Sequence, residues 1–514
     1  MDSATRQQLK TAYAPVDMSA DEFRSLGHRL VDDLAGFLAS IPSRPVTPAV
    51  SPESLQTLLR ELGLENLPHQ GASADQLLRE ATKLLFDNSL LSAHPRFWGY
   101  INASATPIGA LADFLVAAVN PNVGGWILAP IASEIERQTV RWIAELIGYP
   151  QDCGGLLVSG GNMANFVPFL VARRAKADWS ADSVGLRAGR QLRVYASSET
   201  HTWIQKAADL FGLGTNAIRW VPAGDDLRMN VEELQRQIER DKADGDLPFL
   251  VVGQAGSVST GAIDPLREIA GVCRLHNLWF HVDGAYGAVA AALPEASDDL
   301  RALSEADSVA VDPHKWLYSP LEAGCALVRD ARLLLETYSH RPPYYHFHAG
   351  AEQSVNYFEY GMQNSRGFRA LKVWLGLRQA GREGYQRMFI GNIEVAKTLY
   401  RAAEAHPELE PFTQSLSIST FRYVPQDLRE TQDSAPVFEY LNKLNTELLD
   451  RIQRGGEAFL TNAVIRDRFV LRACVVNFHS GPADAEAVAE IVVRVGRETD
   501  RELRSPKLRS VDGG

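Results

Sequence analysis

Apolar residues recur at intervals of three and four early in the chain. Phe23, Leu26, Leu30, Leu34 and Phe37 line one side of residues 18–41, which predicts an amphipathic helix. The next stretch, IPSRPVTPAVSP, contains four prolines. It predicts an extended connection, because a proline pushes the residue before it out of helical backbone geometry. Two more helical patterns follow near residues 52–62 and 74–90. No strand pattern accompanies them. Residues 1–85 therefore read as a helical arm whose apolar face needs cover, with a second subunit as the expected partner.

From about residue 155 the period changes. Short apolar runs (GLLV, LRVYAS, AIRWV, PFLVVG, LWFHVD, SVAV and CALV) alternate with longer helical ones such as MANFVPFLVARRAKA. Another helix is expected from Asn230, where Glu233 stands at the capping-box position. Alternating strands and helices predict an α/β fold, a mostly parallel sheet covered by helices, with ligands at the carboxyl ends of the strands. Past residue 381 strands become sparse, with LSISTFRYV and VLRACVVNF among long helices. The expected organisation is an arm over 1–85, a large domain over 86–380 and a smaller α+β domain over 381–514.

Composition narrows the function without naming it. The 514 residues carry 52 basic and 63 acidic side chains, net −11, which argues against nucleic acid or an anionic membrane as the main partner. Cys153, Cys273, Cys325 and Cys474 are far apart and form no CxxC pair, so they read as small buried residues in a reducing compartment. MDSATRQQLK lacks the apolar core of a secretory signal. PIGALADFLVAAVN is interrupted by Asp113 and too short to span a bilayer. A cytoplasmic protein is expected.

Four strand ends carry candidate chemistry. In GGLLVSGGNMANF, Gly160, Gly161 and Asn162 stand between a strand and a helix. Glycines admit a close ligand and the helix start offers free N–H groups, an anion cradle suited to one phosphate. In LWFHVDGAYGA, Asp283 ends an apolar strand, where a buried carboxylate needs a cation or a strong donor. His201 follows LRVYAS and can stack on a flat ligand. In SVAVDPHKWLYSP, Lys315 emerges from a core strand behind Asp312, between His314 and Trp316. Desolvation there is expected to lower the lysine's pKa and free its amine as a Schiff-base nucleophile. Each motif also has a structural reading: a plain junction, a turn cap, a core histidine. Together they are the fittings of pyridoxal 5'-phosphate.

The chain resembles the group II pyridoxal-phosphate-dependent amino-acid decarboxylases, most of all the aromatic-L-amino-acid decarboxylase branch. DPHKW, HVDGAY, SGGNMAN, HTW, HPRFWGYINASATPIGALAD, GFRALKVW and LRACVVNF carry the resemblance. It implies a fold-type I enzyme, a homodimer with its active site at the subunit interface. It implies that Lys315 holds the cofactor, Asp283 its ring nitrogen and His201 its face. Gly160, Gly161, Asn162, Ser257 and Asp312 are implied as further cofactor contacts. The implied reaction is α-decarboxylation of an L-amino acid, with His314 and a lid tyrosine as candidates for returning the proton. Counting back from GFRALK assigns the lid role to Tyr357, within a long irregular segment over 338–368. His340, His346 and His348 in that segment lack the companions of a metal site.

Trp98, Tyr100 and Trp126 are candidates for an aromatic substrate pocket, and no basic cluster near Asn102 suits an acidic substrate. The alternatives are a decarboxylating aldehyde synthase and an acidic-amino-acid decarboxylase. A non-catalytic binding homologue is disfavoured by the intact Lys315, Asp283 and His201 set. Three departures from the family pattern stand out: Asn162 in the phosphate loop, Val258 after Ser257, and Ile101, Asn102 and Ala103 after Tyr100.

Overall fold

The computed structural model describes residue 2, residues 14–340, residues 354–505 and residue 508. Seven strands form the central sheet: β1 (Gly154–Val158), β2 (Leu192–Ser197), β3 (Ile218–Val221), β4 (Leu247–Gln254), β5 (Trp279–Asp283), β6 (Ser308–Val311) and β7 (Gly324–Val328). Their spatial order is β1-β7-β6-β5-β4-β2-β3. Pairing is parallel from β3 through β6, whereas β7 runs antiparallel to both β6 and β1. The return through residues 312–323 contains no helix, so β7 comes straight back beside β6.

Most strand residues are buried, as expected of a parallel sheet covered on both faces. The helix Gly161–Lys176 packs across β1, β4, β5, β6 and β7. The helix Val231–Ala243 begins as expected: the Asn230 side chain accepts from the Glu233 backbone N–H at 2.9 Å.

The amino-terminal helices Ala20–Ser40, Pro52–Glu61 and Ala74–Asn88 contain a single buried residue between them, Leu26. The first and third are joined by the Arg29–Asp75 ion pair and by Phe37 stacked on Phe86 at 4.0 Å. The rest of their apolar stripe faces outward, including Phe23, Val31, Leu34 and Leu38.

A four-stranded antiparallel sheet forms the carboxy-terminal unit, ordered β10 (Thr461–Ile465), β11 (Arg468–Cys474), β9 (Ile418–Tyr423) and β8 (Leu409–Ser415). It has its own buried cluster, built on Leu444, Leu448, Phe421, Leu471 and Val492. The long helix Ala370–Ala405 runs through the expected boundary near 380, and at Gly381 its backbone leaves helical geometry (φ 64°, ψ 175°). Residues 96–98 also cross over to this unit: Trp98 N–H donates to Phe459 O at 2.8 Å and Trp98 O accepts from Cys474 N–H at 3.0 Å.

Candidate active site

Strands β1, β2, β4, β5 and β6 point the same way, so their carboxyl ends open at one edge of the sheet. A cleft of about 330 Å³ lies there. Its lining gathers Gly160, Gly161, Asn162, His201, Asp283, Asp312, His314 and Lys315 from four separate strand ends. Residues more than 150 positions apart in the chain thus share one cavity.

The anion cradle forms where β1 meets the helix Gly161–Lys176. Gly160 has φ 100°, a conformation open to glycine, and caps that helix without a side chain. A Cβ on Gly161 would lie 2.6 Å from Asp312 Oδ2, so the backbone approaches closely there. Helix N–H groups and the two glycines together offer a seat for a phosphate.

Asp283 is held by two donors: Trp203 Nε1 at 2.8 Å and the Ala285 backbone N–H at 3.2 Å. Two residues earlier on β5, His281 is buried between Asn165 Oδ1 at 2.7 Å and Ser308 Oγ at 2.8 Å. Burial pulls its pKa down to about 4, so it is a neutral strut near neutral pH. His201 Nδ1 accepts from the Trp203 N–H at 3.2 Å. Its pKa is lowered, mainly by burial and further by the Lys315 charge, which favours a neutral flat ring. His314 Nδ1 lies 2.6 Å from Ala323 O, so that nitrogen carries the proton and Nε2 is left to the cleft side, 4.0 Å from Asp312.

Lys315 differs from the sequence expectation. Its Nζ is 3.0 Å from Asp312 Oδ2. Burial lowers its pKa, but the carboxylates of Asp312 and Asp283 outweigh burial and hold it above the ordinary lysine value. The desolvation argument has the wrong sign, because it left out two acids: Asp312, three residues earlier in the same turn, and Asp283 at the end of β5.

Other expected site residues lie elsewhere. Trp98 is fully buried in the carboxy-terminal core and donates from Nε1 to Ser480 Oγ at 2.9 Å. Tyr100 is 59% exposed and leans on Phe459, while its successor Ile101 lines the cleft. Trp126 donates from Nε1 to Glu134 Oε1 at 3.0 Å and does not line it either. The three aromatics therefore form no common pocket within one chain. The Ser257 hydroxyl sits 3.0 Å from Thr260 Oγ1, inside its own loop, and its neighbours Gly256 and Val258 face the cleft instead.

Tyr357 does not line the cleft of this chain. It is buried in a short turn, with the Arg366 guanidinium 4.7 Å above its ring. Arg366 in turn bonds to Leu157 O and Glu136, an ion pair beneath β1. Residues 341–353 of the expected lid, including His346 and His348, lie outside the described residues.

Two contributors carried no clear sequence signal. Trp203 orients Asp283 and supports His201; its only mark in the sequence is its place in HTW. Arg472 is buried and donates to Tyr100 O at 2.8 Å and Val258 O at 2.7 Å, tying together two segments that edge the cleft.

The residues present fit pyridoxal phosphate: a glycine cradle at a helix start, a carboxylate at a strand end, a neutral flat ring and a primary amine converge on one cavity. The comparisons agree. The pyridoxal-dependent decarboxylase conserved domain matches residues 56–423. The aromatic-L-amino-acid decarboxylase of Bacillus atrophaeus is 32% identical over 464 residues, 90% of this chain and 93% of the relative. A phenylacetaldehyde synthase of Petunia hybrida is 28% identical over 467 residues, covering 89% and 91%. The structure of Oryza sativa TDC with PLP and tryptamine is similar at a TM-score of 0.86 and 27% identity, covering 94% of this chain and 99% of that one.

Proposed function

The chain belongs to the pyridoxal-dependent decarboxylases, and from that premise we propose that it removes the α-carboxylate of an aromatic L-amino acid. Bound, the pyridoxal group supplies the electron sink that accepts the bonding pair when CO2 leaves. The chain's own residues supply the rest. Lys315 presents the amine that anchors the cofactor. Asp283, fixed by Trp203, would hold a proton at the ring nitrogen. His201 would lie against the ring face, and Gly160 and Gly161 would seat the phosphate. His314, with Nε2 on the cleft side, is the candidate to return a proton at Cα once that nitrogen has taken one up.

The observation that carries this reading is the convergence of Lys315, Asp283 and His201 on one cleft beside a helix start. Support for an aromatic substrate comes from charge. Among the described residues that line the cleft, Lys315 is the only cation, while Asp283, Asp312 and Glu322 are acids. A second carboxylate on the substrate finds no partner there, and Ile101, Val258 and Leu321 offer apolar contact. The test is the purified protein against the twenty amino acids and hydroxylated aromatics, reading CO2, amine and aldehyde together. Amine from aromatic substrates is expected. Release of CO2 from glutamate or aspartate alone would overturn the substrate class, and aldehyde with ammonia would place the chain with the aldehyde synthases.

The proposed enzyme is a cytoplasmic homodimer. Its four cysteines are free, and three of them are buried. Leu321 lines the cleft yet is 67% exposed, and Ile127, Leu128 and Ile131 are exposed at 65%, 63% and 72%. These exposed apolar residues, like the outward stripe of the first helix, are ones a second copy would cover. A chain beginning at residue 86 is expected to lose dimerisation and solubility, read by light-scattering mass. A truncated chain that is dimeric and active would overturn the role of the arm.

A further inference from the structure

Asp312 is the least accommodated group in the cleft. Its side chain is 1% exposed, and neither carboxylate oxygen has an aligned hydrogen bond. The Lys315 ammonium reaches it at ion-pair distance, 3.0 Å. The same oxygen, Oδ2, also lies close to Gly161, at the start of the helix proposed to seat the phosphate. An isolated buried charge is costly, so this carboxylate needs the ammonium as its counter-ion.

We propose that Asp312 is a positioning residue that holds Lys315 as an ammonium until an aldehyde cofactor arrives, which makes covalent loading base-dependent. The proposal rests on the reading of Lys315 as the cofactor lysine. To react, Lys315 must first release one proton to solvent. Its nitrogen lone pair then bonds to the aldehyde carbon, and the carbonyl oxygen leaves as water with the two remaining N–H hydrogens. Protonation therefore governs the rate. The groups that face Lys315 are Asp312 before it, Asp283 from β5, His201 after β2 and Cys474 from β11, with His314 beside Asp312. Two of these are carboxylates, and of the two Asp312 is the one in contact. The raised pKa of Lys315 agrees with this arrangement.

The test is the rate of pyridoxal phosphate incorporation into the full-length cofactor-free protein across pH, followed by absorbance and by borohydride trapping with peptide mass. In the native protein the rate is expected to climb by about tenfold per pH unit between about pH 7 and about pH 9. Asp312→Asn is expected to shift that profile to lower pH and to speed loading at pH 7 by roughly tenfold or more, since a shift of one pKa unit is a factor of ten. Asp312→Glu, which keeps the charge, is expected to retain the native profile. Affinity for pyridoxamine 5'-phosphate, which has the phosphate but no aldehyde, separates altered seating from altered protonation. An Asp312→Asn profile that superimposes on the native one would overturn the proposal. So would a native profile already flat at pH 7, a result that needs no variant to fold. Trapping at a residue other than Lys315 would instead overturn the reading on which the proposal rests.

Discussion

Lys315→Ala is expected to stop turnover, with CO2 release falling by roughly 10³-fold or more, a barrier increase of at least about 4 kcal/mol. No neighbour can replace it: among the described residues of the cleft it is the only primary amine. The alanine variant carries a second expected effect. It leaves Asp312 buried without its counter-ion, and breaking such a pair costs on the order of 3–5 kcal/mol unless the carboxyl takes up a proton. A lower melting temperature is therefore expected along with lost activity, and the two need separating. Lys315→Arg does so. A guanidinium keeps the charge beside Asp312 but cannot serve as the amine nucleophile. The arginine variant should melt close to the native protein and still release no CO2. Borohydride reduction of the native enzyme should add cofactor mass to the peptide bearing Lys315. An arginine variant that keeps near-native turnover would remove Lys315 from the mechanism.

Asp283→Asn is expected to reduce turnover by about 10²-fold or more, the usual worth of a charge aimed at the reacting system in a closed site. The amide can still accept from Trp203 Nε1, now 2.8 Å from the carboxylate, so the side chain keeps its place. What it loses is the negative charge proposed to hold a proton on the ring nitrogen. The same substitution removes one of the two carboxylates that raise the Lys315 pKa. Steady-state turnover, with a spectrum of the cofactor-loaded variant, separates a loaded but slow enzyme from an unloaded one. Activity within a few-fold of native would refute the pairing of Asp283 with the cofactor ring.

Much of the site was legible because each of its parts is local. GGLLV followed by SGGN, LWFHV followed by Asp283, and SVAV followed by DPHK each join a strand to a polar turn. In a parallel sheet, strand ends meet at one edge without further information. The arm was legible in the same way, from a helical stripe with no sheet beside it. Less legible were elements whose pattern is short or partly polar. β8 (LEPFTQS) is mostly half-buried, and β10 alternates between buried and exposed over five residues. Neither offers the continuous apolar run that marks the central strands. Counting across the irregular segment 338–368 had no period to anchor it, and it assigned a lid role to Tyr357, which packs under Arg366.

The sequence by itself determined the alternation of strands and helices, the strand ends that carry Gly160, His201, Asp283 and Lys315, and hence the cofactor class. These depend on neighbours a few positions away, and the chain states them directly. Only the tertiary structure decided the charge on Lys315, because the turn after β6 brings Asp312 to 3.0 Å from Nζ and Asp283 reaches it from another strand. It reversed β7, because the return from β6 has no room for a crossover helix. It put Trp98 under Ser480 and turned the Ser257 hydroxyl onto Thr260, away from the cleft. Two of these outcomes, at Trp98 and at Lys315, depend on groups far apart along the chain and close in space. Electrostatic and packing energies act at that distance in space, whatever the separation in sequence.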